Sequence, residues 1–126
     1  MAKKILIVDD DSDIRELLNI RLRQSGYETA FAADAISAIG AARKERPDLI
    51  ILDLGLPAGE GYTVMERLKA LAPTEGVPIV VVSARDPVAN RERALRSGAR
   101  AYFEKPIEMQ ALLLAIEREL GAVSGA

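Results

Sequence analysis

Four groups of residues in this chain could do chemistry together: Asp9-Asp10, Asp53, Ser83 and Glu104-Lys105-Pro106. Each stands at the end of a run that reads as a β-strand. Three close carboxylates repel one another, and keeping them ionised takes a cation. An all-oxygen ligand set suits a hard ion, and a site that leaves room for water and phosphate oxygens suits Mg2+ better than Ca2+. The Lys105 ammonium can neutralise a carboxylate or a phosphoryl oxygen, and the Ser83 hydroxyl can donate to that same oxygen. A nucleophilic carboxylate, a metal, a cationic clamp and a hydroxyl donor are the parts for phosphoryl transfer to an aspartate.

Composition narrows the alternatives. Cysteine and histidine are both absent. That excludes disulfide scaffolds, thiolate or imidazole metal sites, Cys nucleophiles and Ser-His-Asp catalysis within this chain. A length of 126 residues, 49% of them apolar, suits one domain with a real core. Seventeen Lys and Arg against nineteen Asp and Glu leave a net charge of −2. Bulk charge therefore argues against direct nucleic-acid binding. Only the four apolar residues Ile5 to Val8 precede the first acids, and the longest charge-free stretch, Gly76 to Ala84, is far short of the ~20 residues of a membrane span. The expectation is a cytoplasmic protein with no membrane partner.

The elements that must position these residues alternate along the chain. Lys4 to Val8, Tyr27 to Ala32, Asp48 to Asp53, Val77 to Val82 and Arg100 to Phe103 read as strands. Between and after them lie helix-period segments. Ile14, Leu17, Leu18 and Leu22 form a stripe closed by Gly26, and Ile36 and Ile39 are expected inward on an alanine-rich helix ended before Pro47. Val64, Met65, Leu68 and Leu71 mark a third helix stopped at Pro73. A polar, Arg-rich helix runs from Pro87 to Ser97, and a last one carries Met109, Leu112, Leu113, Ile116 and Leu120. Five strand–helix units with continuous apolar strands predict an α/β domain: an open, doubly wound parallel sheet with helices on both faces. Ligands bind such sheets outside the carboxyl ends of the strands, where the acids, Ser83 and Lys105 fall.

In this order, each at a strand end, Ile5-Leu6-Ile7-Val8-Asp9-Asp10, Asp53 with Pro57 and Gly61, Ser83-Ala84 and Lys105-Pro106 resemble the receiver domain of bacterial two-component response regulators. The resemblance covers residues 1–120, with a short tail at 121–126 and no output domain expected. It implies a five-stranded sheet in the order 2-1-3-4-5, flanked by five helices. It implies phosphorylation on Asp53 by a phosphohistidine of a sensor kinase or phosphotransfer protein. Asp10 and Asp53 resemble direct Mg2+ ligands, with Mn2+ able to substitute; Asp9 resembles a ligand acting mainly through water, and the Gly55 backbone carbonyl a third protein ligand. Ser83 matches the switch hydroxyl and Tyr102 the aromatic whose rotation accompanies it. The Lys105-Pro106 bond resembles the family's cis peptide. A signalling domain is implied rather than a turnover enzyme, with self-phosphorylation and slow autodephosphorylation as its chemistry. The implied partner surface is the fourth helix, fifth strand and fifth helix, and the implied state a monomer or a weak phosphorylation-linked dimer.

Other readings of the same residues are plainer. Asp11 or Ser12 can cap the first helix, and Asp13 can complement its dipole. Asp9-x-Asp11-x-Asp13 also begins like a calcium loop, but Ile14 and Ile20 occupy the positions that need Gly and Glu. Asp53 could cap a turn, Lys105 could be a surface lysine, and Tyr102 a half-buried strand residue. Arginines 85, 91, 93, 96 and 100 form a solvated face or a partner surface. A haloacid-dehalogenase-like phosphatase would carry a second acid two residues after its nucleophile, where this chain has Gly55. A flavodoxin-like cofactor binder would need a phosphate-binding loop where Asp9-Asp10-Asp11 stand. A degenerate receiver that binds partners without being phosphorylated is the remaining alternative.

Overall fold

The computed structural model describes residues 2–57 and 61–121; residues 122–126 of the expected tail lie outside them. Five strands alternate with five helices: β1 (Lys4–Val8), α1 (Ser12–Gln24), β2 (Glu28–Ala32), α2 (Ala35–Glu45), β3 (Leu49–Leu52), α3 (Gly61–Ala70), β4 (Ile79–Ser83), α4 (Pro87–Arg96), β5 (Ala101–Glu104) and α5 (Met109–Leu120). All pairings are parallel and the order is β2-β1-β3-β4-β5. The strand order reverses at β1, next to β3, and Asp9 and Asp53 leave the sheet beside each other there.

The strands are continuous apolar runs because both faces are covered. Leu6, Val8, Ile50, Leu52, Ile79 and Val81 point into one layer with α2, α3 and the Ala94 side of α4. Ile5, Ile7, Leu49, Ile51, Val80 and Val82 point into the other, against Leu18 and Leu22 of α1 and Leu112 and Ile116 of α5. This alternation is the period-2 geometry of a strand with two dry faces.

Helix ends follow local chemistry. Asp11 caps α1 through hydrogen bonds from the N–H groups of Asp13 and Ile14, and Asp34 and Ser37 form a reciprocal capping box on α2. β4 begins after Pro78, which lacks an N–H but whose carbonyl still accepts from the Ile50 N–H at 3.0 Å. α3 stops at Ala70, before the proline expected to end it; the buried Thr74 hydroxyl donates to the Leu68 carbonyl at 2.6 Å and closes the turn.

Two apolar residues are not where periodicity placed them. Ile36 is 84% exposed and Leu17 43% exposed. Ile36 occupies the second position of α2, above the sheet edge, so its helical phase points past the core. Leu17 shares its turn with Leu18, and only Leu18 faces the sheet.

Candidate functional site

The sheet itself places the chemistry. Hydrogen bonding between neighbouring strands continues one residue past each carboxyl end: the Asp9 N–H donates to the Ala32 carbonyl at 3.1 Å, Asp53 to Val8 at 2.9 Å and Lys105 to Ser83 at 2.9 Å. Each of the three ionisable groups thus leaves from backbone already locked to an adjacent strand. Gly61 seals the opposite side of the β3 exit: a Cβ there would lie 2.5 Å from the Leu54 Cα and 2.6 Å from its carbonyl oxygen. Only glycine lets α3 approach this closely.

Asp9, Asp10 and Asp53 each offer a carboxylate oxygen, and the three oxygens lie within 4.8 Å of one another. Asp9 is 2% and Asp53 5% exposed, whereas Asp10 is exposed. The Lys105 ammonium reaches into this group, 2.8 Å from Asp9 Oδ2 and 3.4 Å from Asp53 Oδ2. The remaining oxygens of the buried pair accept backbone bonds: Asp11 N–H to Asp9 Oδ1 and Gly55 N–H to Asp53 Oδ1, both 2.9 Å. The turn-capping expected of Asp53 is therefore real and coexists with its place in the cluster.

Charge and burial act in opposition here. Burial pushes the Asp9 carboxyl above its ordinary value; the Lys105 hydrogen bond and the Asp11 N–H pull it back, and the Asp53 charge adds to the rise. Burial alone would lower the Lys105 ammonium, but its hydrogen bond to Asp9 and the charges of Asp53 and Asp9 hold it above its ordinary value. Three carboxylates against one ammonium leave two negative charges unbalanced. A hard dication bound by oxygen neutralises such a set, so the residues present fit Mg2+.

The hydroxyl side of the pocket is built on one backbone unit. Ser83, fully buried, accepts from the Arg85 N–H through Oγ at 3.0 Å, and the Tyr102 hydroxyl donates to the Arg85 carbonyl at 3.1 Å. Tyr102 is 4% exposed, deeper than the half-buried strand residue expected, and burial pushes its hydroxyl up. The Lys105-Pro106 peptide is cis. Gly55 and Arg85 flank the pocket, and a Cβ at Gly55 would sit 3.4 Å from Asp53 Oδ1. Glycine leaves that side of the carboxylate open.

Arg15 was not among the residues picked from sequence. Its Nη1 donates to the Asp9 carbonyl at 2.8 Å. An arginine on the exposed side of a helix reads as solvated, and only its position one turn into the helix after the acids marks it.

A 2-1-3-4-5 parallel sheet with an acid pocket and an inserted lysine at its carboxyl edge is the architecture of signalling receivers. The chain belongs to the response regulator receiver domain family, whose model matches residues 5–117; these are signalling domains of two-component systems. It is 39% identical over 120 residues to the DNA-binding response regulator MtrA of Mycobacterium tuberculosis (strain ATCC 25618 / H37Rv), covering 95% of this chain and 51% of that protein. A CheY-like response regulator receiver domain protein from Methanospirillum hungatei JF-1 superposes with a TM-score of 0.86 at 33% identity, covering 95% of this chain and 94% of that one. The receiver domain of the sensor histidine kinase PA1611 from Pseudomonas aeruginosa PAO1 does so at 0.86 and 30% identity, covering 96% and 99%, and has a magnesium ion coordinated in its active-site cleft.

One expectation is overturned. Bulk charge argued against any direct nucleic-acid partner, yet relatives such as MtrA are DNA-binding response regulators. The chain spans about half the length of the curated relatives it matches. A net charge summed over a receiver says nothing about DNA contacts made by the rest of such a protein. Among the described residues no helix is long and apolar enough to cross a membrane.

Proposed function

We propose that this receiver is a phosphorylation switch whose acceptor is Asp53. The observation that carries the reading is the pocket itself: a carboxylate 5% exposed, with two further carboxylate oxygens within 4.8 Å and a lysine inserted between them. A carboxylate oxygen of Asp53 attacks the phosphorus of a phosphohistidine on a sensor kinase or phosphotransfer protein. The new O–P bond forms as the P–N bond breaks, and the departing imidazole takes its proton from solvent. Lys105 balances charge on the transferring oxygens, and the Gly55 N–H keeps the other carboxylate oxygen oriented.

Asp10 and Asp53, with the Gly55 carbonyl and Asp9 through water, would hold Mg2+ or Mn2+; when bound it supplies positive charge to the phosphoryl oxygens. The Ser83 hydroxyl turns from Arg85 toward the acyl phosphate and donates to it. The Arg85 backbone links that movement to Tyr102, whose rotation accompanies it. α4, β5 and α5 are biased between two arrangements as a result. Slow hydrolysis of the acyl phosphate at the same pocket resets the switch. Where the receiver is part of a DNA-binding response regulator, as MtrA is by name, DNA binding is what the switch controls.

Intact-mass spectrometry after incubation with acetyl phosphate tests the reading. One Mg2+-dependent phosphoryl adduct is expected, lost in Asp53→Asn. An adduct that persists in the variant on another residue would refute the assignment.

A further inference from the structure

Arg15 lies outside the machinery above, and its hydrogen bond goes to one particular peptide. β1 ends at Val8. The next carbonyl, that of Asp9, has run past the strand ladder and is taken by Arg15 Nη1 at 2.8 Å. That oxygen belongs to the peptide joining Asp9 to Asp10.

The neighbouring acids are fixed through their own side chains. Asp9 is held by the Asp11 N–H and Lys105. Asp11 is held by the N–H groups of Asp13 and Ile14 at the start of α1. Asp10, between them, is exposed and makes no side-chain hydrogen bond among the described residues. The direction of its carboxylate therefore depends on the peptide planes on either side of it, and Arg15 holds the first of these.

We propose that Arg15 is a positioning residue for Asp10: by clamping the Asp9–Asp10 peptide it aims the Asp10 carboxylate at a divalent cation shared with Asp53. The proposal rests on reading Asp9, Asp10 and Asp53 as a Mg2+ site. It makes a prediction of definite sign. A guanidinium bound at the Asp9 carbonyl repels a dication, so on electrostatics alone its removal would tighten Mg2+ binding. A positioning role requires the reverse. Partners that orient metal ligands change affinity 10- to 100-fold, and because Asp10 is one of several ligands the effect here is about tenfold.

The test is Mg2+ titration, followed by calorimetry and by backbone amide shifts, of the wild-type chain, Arg15→Met and Arg15→Lys. Arg15→Met keeps the length and apolar stem of the side chain and removes every donor. Arg15→Lys keeps the charge and a single donor nitrogen. Arg15→Met should bind Mg2+ about tenfold more weakly, and Arg15→Lys should recover most of that loss. Metal-free spectra should match the wild type away from residues 9–15, which separates loss of aim from loss of fold. Binding by Arg15→Met that equals or exceeds the wild type overturns the positioning role while leaving the metal site standing. A wild-type chain that binds no Mg2+ overturns the metal reading and this proposal with it.

Discussion

Replacing Asp53 with asparagine should make the metal-free protein more stable, although it alters a buried group at the centre of the fold. The Asp53 carboxylate faces the Asp9 oxygen within 4.8 Å, a repulsion of about 3.5 kcal/mol at an effective dielectric near 20. Asp10 adds to it, discounted because it is exposed and screened. Against these stands Lys105 at 3.4 Å, an attraction of about 5 kcal/mol on the same footing. The Coulomb terms nearly cancel, and what remains is the cost of keeping a charge at a site only 5% exposed. Asparagine removes that cost and keeps the acceptor for the Gly55 N–H. The expected gain is about 1–2 kcal/mol in EDTA, read by urea unfolding followed by far-UV circular dichroism, or about 4 °C in Tm per kcal/mol. With Mg2+ at ten times its Kd the wild type should gain about 1.4 kcal/mol, and the variant little, so the order of stabilities closes or reverses. A variant clearly less stable than wild type in EDTA would refute the view that keeping the Asp53 charge buried strains the pocket.

The raised pKa of Asp9 means that the native state takes up this proton before the unfolded chain does. Its cost to stability is present at pH 7 and is relieved as pH falls through the folded value toward the unfolded one. Lys105→Met removes both its hydrogen bond and its charge, so the Asp9 carboxyl should titrate at a still higher pH by side-chain carboxyl 13C NMR, and an unchanged midpoint would exclude the ion pair as what holds Asp9 charged. Gly61→Ala places a methyl 2.5 Å from the Leu54 Cα and should cost about 3 kcal/mol of unfolding free energy; a loss under 1 kcal/mol would show that α3 can shift without consequence.

Much of the fold was legible because its signals are local and agree with one another. Continuous apolar strands, Asp and Ser caps and glycine stops all specify the same alternation. The errors share a cause. Ile36 and Leu17 satisfy helical spacing, but spacing gives a phase only up to about one residue, and the edge of the sheet decides which of two neighbours is covered. In the site, Asp9, Asp10, Asp53, Ser83 and Lys105 could be picked out because each ends a strand. Arg15 could not, since its role comes from a side chain reaching back along a helix to a main-chain carbonyl, a contact with no signature in residue type.

Net charge misled for a related reason. The value of −2 sums an acid pocket at one sheet edge with an arginine-rich α4 region at another. Some of these arginines have partners: Arg93 stacks on Tyr62 at 3.8 Å from the ring centre, and exposed pairs join Arg100 to Glu119 at 3.2 Å and Arg96 to Glu92 at 3.4 Å. Cancelling totals conceal both features. In the function proposed above, the charge that matters is the local excess of two negative charges around Lys105, which a dication and a phosphoryl group would meet. Whether a longer regulator touches DNA is decided by the charge of whatever is attached, so the two questions have separate electrostatic answers.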